Sequence, residues 1–378
     1  MTTASQTGWN QRPKVVERIP DGDKVWFISD LHLGDATPCD VFFGKDQHLI
    51  ALVERVYEEG STLVIAGDAI DFHQAWSFTR VLRAHQELFH AFSLLSREGR
   101  LFYVIGNHDY EITLFSEILA FRVCDELIIG DSILVVHGWQ YDPYLSKTVG
   151  AGHGWSTTFH HLIERYLGTW LRIPLGEFYT RGNRLMFWLA HKIALVANLW
   201  ARSMALVGLP RSAAALNAYL DYWARGNMGD PMGMFRPAWH DAQTGPYPNI
   251  VCGHSHLPGV VTENGCTYVN TGSWTFSSSH YVVWEDGAFA CRDWITGTEF
   301  TSRFYEPLLD GIVYEKDFWQ WWRENYMGLL RFREGEERKG RLRGWESYVR
   351  DYQHLSQLRP VHSAPLPDLE DEGASEPG

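Results

Sequence analysis

Short apolar runs recur along the first part of the chain. After a polar lead-in over residues 1–22, Val25–Ser29, Leu63–Ala66, Leu101–Ile105 and Ile133–Val136 are strand-length and free of charge, and Ile250–Cys252 repeats the pattern much later. Such runs predict strands buried on both faces. Between the early ones the period changes. Leu49, Ile50, Leu52, Val53, Val56 and Tyr57 fall on one face of a predicted helix that Gly60 ends. Residues 78–97 carry a second apolar helical face through Val81, Leu82, Leu88, Phe89, Phe92 and Leu95. Strand and helix in alternation predict an α/β fold. Gly259–Thr262, an Asn264-Gly265 turn and Cys266–Asn270 predict a hairpin-like region that continues into His280–Trp284.

Two stretches depart from this rhythm. Residues 139–248 are rich in Trp, Leu and Arg and read as a mostly helical insert. Within it, over Arg184–Pro210, the polar residues Arg184, His191, Asn198 and Arg202 are spaced by seven, seven and four, so a helix would gather them into one narrow stripe. The rest of its circumference is mostly apolar, as in a helix that packs inside the protein, lies at a membrane surface or lines an acyl pocket. Residues 296–360 form an aromatic-rich extension of helical character, including Phe318, Trp319, Trp322 and Tyr326, and residues 361–378 an acidic tail expected to be disordered.

Charge and cysteine content narrow the function classes. The formal net charge is −13, whereas a nucleic-acid binder more often gathers Lys and Arg on one face, so no nucleic-acid partner is expected. The five cysteines are scattered, which argues against a disulfide framework or a thiolate zinc site and for a reducing, cytoplasmic setting. The first residues have no apolar core of the kind a secretory signal needs. The sequence does not specify an oligomeric state.

The chemistry sits at the ends of the runs. Val25–Ser29 is followed by Asp30-Leu31-His32, and Leu63–Ala66 by Gly67-Asp68 with Asp71 just beyond. Leu101–Ile105 is followed by Gly106-Asn107-His108-Asp109, Ile133–Val136 by His137-Gly138, and Ile250–Cys252 by Gly253-His254-Ser255-His256. In open α/β sheets ligands sit outside the carboxyl ends of strands, where these clusters would converge. Carboxylate and imidazole without thiolate suit first-row divalent ions.

The order Asp-x-His, Gly-Asp, Gly-Asn-His-Asp, His-Gly, Gly-His-x-His resembles the calcineurin-like metallophosphoesterase signature over residues 24–138 and 249–285. The resemblance implies a two-sheet αββα sandwich, with the catalytic domain formed by residues 23–138 and 249–295, and two divalent ions: manganese first, with iron or zinc as alternatives. It implies Asp30, His32 and His256 on one ion, Asn107, His137 and His254 on the other, and Asp68 bridging them. It further implies that a hydroxide held by the metals attacks a phosphoester, that His108 contacts the phosphoryl group and that Asp109 orients its ring.

Gly253-His254-Ser255-His256-Leu257-Pro258, Tyr268–Trp274 and Gly67-Asp68-Ala69-Ile70-Asp71 resemble, more narrowly, the UDP-2,3-diacylglucosamine pyrophosphatase branch, which acts in lipid A synthesis. Its members carry a helical lid between the same two motifs, although this insert is longer and the well-known members have Arg in place of His108. That branch implies a lipid-linked substrate and peripheral contact with the inner face of the cytoplasmic membrane. Arg80 and Arg83, on the helix after Asp71, and Lys147 are candidates to grip the pyrophosphate.

Overall fold

A computed structural model describes residues 13–21, 24–36, 40–42, 44–72, 75, 77–142, 181–218, 231–275, 278–300, 305 and 309. The start of the lead-in, Lys147, the first part of the insert, the aromatic stretch around Trp319 and the acidic tail lie outside the described residues.

Two mixed sheets form the centre. The strands are β1 Val16–Ile19, β2 Lys24–Ile28, β3 Thr62–Ala66, β4 Leu101–Val104, β5 Arg122–Cys124, β6 Glu126–Ile129, β7 Ile133–Val135, β8 Asn249–Cys252, β9 Gly259–Glu263, β10 Cys266–Asn270, β11 His280–Glu285, β12 Ala288–Asp293 and β13 Glu299–Phe300. One sheet has the order β1-β6-β7-β8-β10-β9 and the other β13-β12-β11-β2-β3-β4-β5. In the second, β2, β3, β4 and β5 run parallel. In the first, β7 and β8 are parallel. All five predicted runs therefore form strands.

Side-chain alternation divides these strands among three apolar layers. Val25 and Phe27 of β2, Val64 of β3, Val104 of β4, Val135 of β7 and Val251 of β8 pack in one cluster, contributed by both sheets. Trp26, Ile28, Leu63 and Ile65 point the other way, against Leu49, Val53 and Val56 of helix α1 (Asp46–Glu58) and residues of the helices that follow β3. Ile128, Leu134 and Ile250 face outward from the first sheet onto Phe235, Ala238 and Trp239 of the helix Pro231–Thr244. Period-two alternation with both faces buried is how two sheets come to be enclosed by helices.

Three local features qualify the expected pattern. The helical stretch over 78–97 is two helices, α2 Phe78–Ala84 and α3 Gln86–Arg97, broken at His85 (φ −123°, ψ 34°). Buried His85 has Nδ1 2.6 Å from Asp46 Oδ1 and Nε2 3.2 Å from the Gly34 carbonyl, tertiary bonds that hold it out of helical geometry. The hairpin β9–β10 forms with Asn264 and Gly265 both at positive φ (52° and 78°), but β11 pairs with β2 in the opposite sheet. Within the insert, the helix Arg181–Leu206 stops four residues short of Pro210. Gly208 (φ 84°) turns the chain while Leu209 N–H donates to the Met204 carbonyl, a glycine stop. Ala201 is buried, but Ile193, Val196, Leu199 and Trp200 are all more than half exposed. Among the described residues no helix is long and apolar enough to cross a membrane.

Candidate metal centre

The ends of β2, β3 and β4 from one sheet and of β7 and β8 from the other deliver five loops to one edge of the sandwich. Backbone bonds join them: Asp30 N–H to the Gly67 carbonyl, His32 N–H to Asp68 and Gly253 N–H to His137. Asp30, His32, Asp68, His254 and His256 all have φ between 47° and 66°. Non-glycine residues rarely take this conformation, and a cluster of them at one place marks a functional constraint. Two glycines are needed for close approach. A methyl group on Gly106 would lie 2.0 Å from Asp68 Oδ1, and one on Gly253 2.4 Å from Asp30 Oδ2.

Each central carboxylate commits one oxygen to a loop and offers the other to the imidazoles. Asp30 Oδ2 accepts from His254 N–H (3.0 Å) and from the Ser29 hydroxyl. Its Oδ1 lies 3.1 Å from His256 Nε2, 3.8 Å from His32 Nε2 and 4.0 Å from His137 Nε2. Asp68 Oδ1 accepts from His108 N–H (2.8 Å), and its Oδ2 lies 3.1 Å from His137 Nε2 and 3.9 Å from His32 Nε2. The approaches at 3.1 Å are not aligned as hydrogen bonds. Asp30 Oδ1, His32 Nε2, Asn107 Oδ1 and His137 Nε2 are buried with no hydrogen-bond partner among the described residues. Four lone buried donor atoms around one spot have a ready account as ligand atoms for cations. Asp30, His32 and His256 form one group of converging ligand atoms, and Asp68, His137 and His254 another. The residues present therefore fit divalent ions.

The far nitrogens of the rings are also held. His32 Nδ1 lies 3.2 Å from Asp71 Oδ2, His137 Nδ1 donates to the Ala66 carbonyl (2.8 Å), and His256 Nδ1 is 3.5 Å from Thr275 Oγ1. Such partners fix the tautomer and orientation of ligating rings. Burial opposes charge on Asp68 and Asp71, but the rings of His137 and His108 beside them hold both carboxyls well below the usual range. Burial alone would lower the His137 pKa; Asp68 and Asp30 instead push it up to about 9.

The structure corrects one assignment. Asp109 does not orient His108. Its Oδ1 accepts from Gly106 N–H (2.7 Å), and its Oδ2 from Ala69 N–H (2.8 Å) and the Tyr103 hydroxyl (2.6 Å), so it braces the loops. Burial, with the nearby charge of Asp68, pushes its carboxyl up to about 7. The His108 ring is held by Asp71, whose Oδ1 lies 3.2 Å from His108 Nδ1. Asp71 thus supports two rings at once. Its position three residues after Asp68 was visible in the sequence, but its partners depend on the approach of three loops. His108 itself is partly open to solvent at the mouth of the site. Arg80 and Arg83 lie exposed on α2, Arg80 with its guanidinium 3.8 Å from Asp35.

No curated protein matches the sequence. Solved structures that are similar include Yfce, a phosphoesterase from E. coli, at 13% identity over 73% of this chain and 96% of that one (TM-score 0.32). Others are a dimetal phosphatase from Danio rerio, at 12% identity over 74% and 98% (TM-score 0.38), and a putative diadenosine tetraphosphatase, at 14% over 74% and 98% (TM-score 0.33). The calcineurin-like phosphoesterase family matches residues 23–324, most of the chain. The edge where its two sheets meet carries groups of residues that could hold metal ions, and the chain belongs to that family of metal-dependent phosphoesterases.

Proposed function

We propose that this phosphoesterase uses two divalent ions to hydrolyse a lipid-linked pyrophosphate, UDP-2,3-diacylglucosamine or a close relative. Asp30, His32 and His256 would hold one ion, Asn107, His137 and His254 the other, with Asp68 shared. The carboxylate, amide and imidazole donors suit manganese first, then iron or zinc. The carrying observation is the set of four buried ligand atoms without hydrogen-bond partners among the described residues, Asp30 Oδ1, His32 Nε2, Asn107 Oδ1 and His137 Nε2.

Bound there, two divalent ions supply Lewis-acid polarisation of the phosphoryl oxygens and activation of the attacking water. The chain's own groups do the rest. Asp71 takes the Nδ1–H of His32, leaving Nε2 as the ligand atom, and holds the His108 ring through its Nδ1. Nε2–H of His108 then donates to the phosphoryl or leaving oxygen as negative charge develops there. Water adds to phosphorus, the P–O bond of the pyrophosphate breaks, and UMP and the acylated sugar phosphate leave. Arg80 and Arg83 are proposed to steady the pyrophosphate, with Lys147 as a third candidate.

The acyl chains in this reading are supported by the helix Arg181–Leu206. Val196 and Leu199 are 68% and 67% exposed, and Ile193 and Trp200 61% each. Covering such a face with acyl chain contributes about 0.8 kcal/mol per methylene buried. A cytoplasmic protein working at the inner face of the membrane would meet its substrate there. Turnover of UDP-2,3-diacylglucosamine beside UDP-N-acetylglucosamine, with manganese added, tests the proposal. UMP release from the acylated substrate alone is the expected result. Equal rates, or none on either, would remove the lipid and return the substrate to nucleotides, phosphoproteins or other lipid phosphates.

A further inference from the structure

Of the four imidazoles in the two candidate ion groups, His254 is held in a manner of its own. The rings of His32, His137 and His256 meet their supports through Nδ1. His254 meets its support through Nε2, which lies 3.1 Å from Asp142 Oδ2. Asp142 is buried, at 2% exposure. A carboxylate on Nε2 keeps the proton on that nitrogen and leaves Nδ1 with its lone pair. The ring is thereby fixed in both rotation and tautomer.

Asp142 is itself held in place by its neighbours. It ends the 3-10 turn Trp139–Tyr141, with its N–H on the Trp139 carbonyl (3.1 Å) and Tyr141 N–H on Gly138 (2.9 Å). The Tyr141 hydroxyl donates to Asp241 Oδ2, on the helix Pro231–Thr244. The same helix closes over Gly138 (φ 116°), where a methyl group would lie 3.1 Å from Met234 Sδ. The chain leading into the 143–230 segment and the helix that follows it are therefore joined to each other, and Asp142 joins them to His254.

We propose that Asp142 is the positioning residue for His254, and that the root of the insert is thereby part of the support of one of the two ion sites. This rests on the two-ion reading above, with His254 on the ion it shares with His137 and Asn107. It predicts an asymmetric defect. Loss of the carboxylate should loosen one ion and spare the other, because His32 and His256 keep Asp71 and Thr275.

The experiment is calorimetric titration of the metal-stripped, full-length protein with Mn2+. Wild type should take up two ions. Asp142→Ala should bind one of them roughly 10–100-fold more weakly, the usual cost of losing such a partner, and the other within about twofold of wild type. Asp142→Asn keeps an acceptor oxygen and should fall between the two; it decides the matter alone if the alanine variant does not fold. Two ions bound by the variants at undiminished affinity, or both weakened alike, would overturn the role of Asp142. A wild type that binds fewer than two would instead sink the two-ion reading itself.

Discussion

Between the sheets, Val25, Phe27, Val64 and Val135 are at most 1% exposed, whereas Ile193, Val196, Leu199 and Trp200 on the helix Arg181–Leu206 are 61–68% exposed. The residue types are alike and the environments opposite. In the sandwich the hydrophobic effect accounts for the apolar residues, and the unmatched groups are polar: carboxylate, amide and imidazole atoms at the edge with no hydrogen-bond partner among the described residues. On the helix the unmatched groups are apolar. In the proposed function an ion would supply what the first region lacks and an acyl chain what the second lacks. Each region thus defines one half of the proposed substrate and its cofactors, and the two halves can be broken separately.

The largest effect is expected at the shared carboxylate. Asp68→Ala should lower turnover of an aryl phosphodiester by at least about 10³-fold. Calorimetry should show ion uptake weakened at both groups, because Asp68 Oδ2 lies against both His137 and His32. Uptake intact at either group would show that Asp68 does not link them. Next comes His108→Ala, expected to cost roughly 10²–10⁴-fold in kcat through loss of a general acid. Two ions should remain bound. A variant that turns over normally would remove His108 from the chemistry.

On the other side of the comparison, the Leu199→Ser, Trp200→Ser double variant should leave the sandwich untouched. Exposed positions usually change folding stability by less than about 0.5 kcal/mol each. The ratio of kcat/KM for UDP-2,3-diacylglucosamine over UDP-N-acetylglucosamine should fall about tenfold, equivalent to losing contact with roughly two methylenes. An unchanged ratio would mean that this face does not meet the acyl chains.

The same contrast explains what was legible in the sequence. The ends of β2, β3, β4, β7 and β8 could be read because apolar runs stop where glycine, carboxylate and imidazole begin, and both signals are local. The supports of the rings could not. Asp71, Thr275 and Asp142 reach their histidines across 39, 19 and 112 residues of chain. Their partners are decided by how loops from two sheets approach, so Asp109, adjacent to His108 in sequence, looked like its orienter and is not. The passage of β11 to the other sheet was hidden for the same reason: its alternation suits either sheet.

The break at His85 is a further case of a tertiary bond overriding a local pattern, and it gives the smallest prediction. The His85 imidazole faces Asp46 Oδ1 at 2.6 Å and Asp40 Oδ2 at 3.7 Å, with the Gly34 carbonyl and the Phe42 ring completing its surroundings. Burial alone would lower its pKa; Asp40 and Asp46 instead push it up to about 10 from 6.5. Folding therefore favours the protonated ring. The gain is complete below about pH 6.5 and is lost as pH rises through about 10. His85→Gln keeps a donor for Asp46 without the charge, so at pH 6 it should be the less stable of the two. His137 of the ion site titrates too, but it is common to both proteins and cancels in the difference. Denaturant melts of the pair should converge between about pH 6.5 and pH 10. A gap that stays constant over that window would mean that His85 breaks the helix by shape alone, with no charge drawn to it from Asp40 and Asp46.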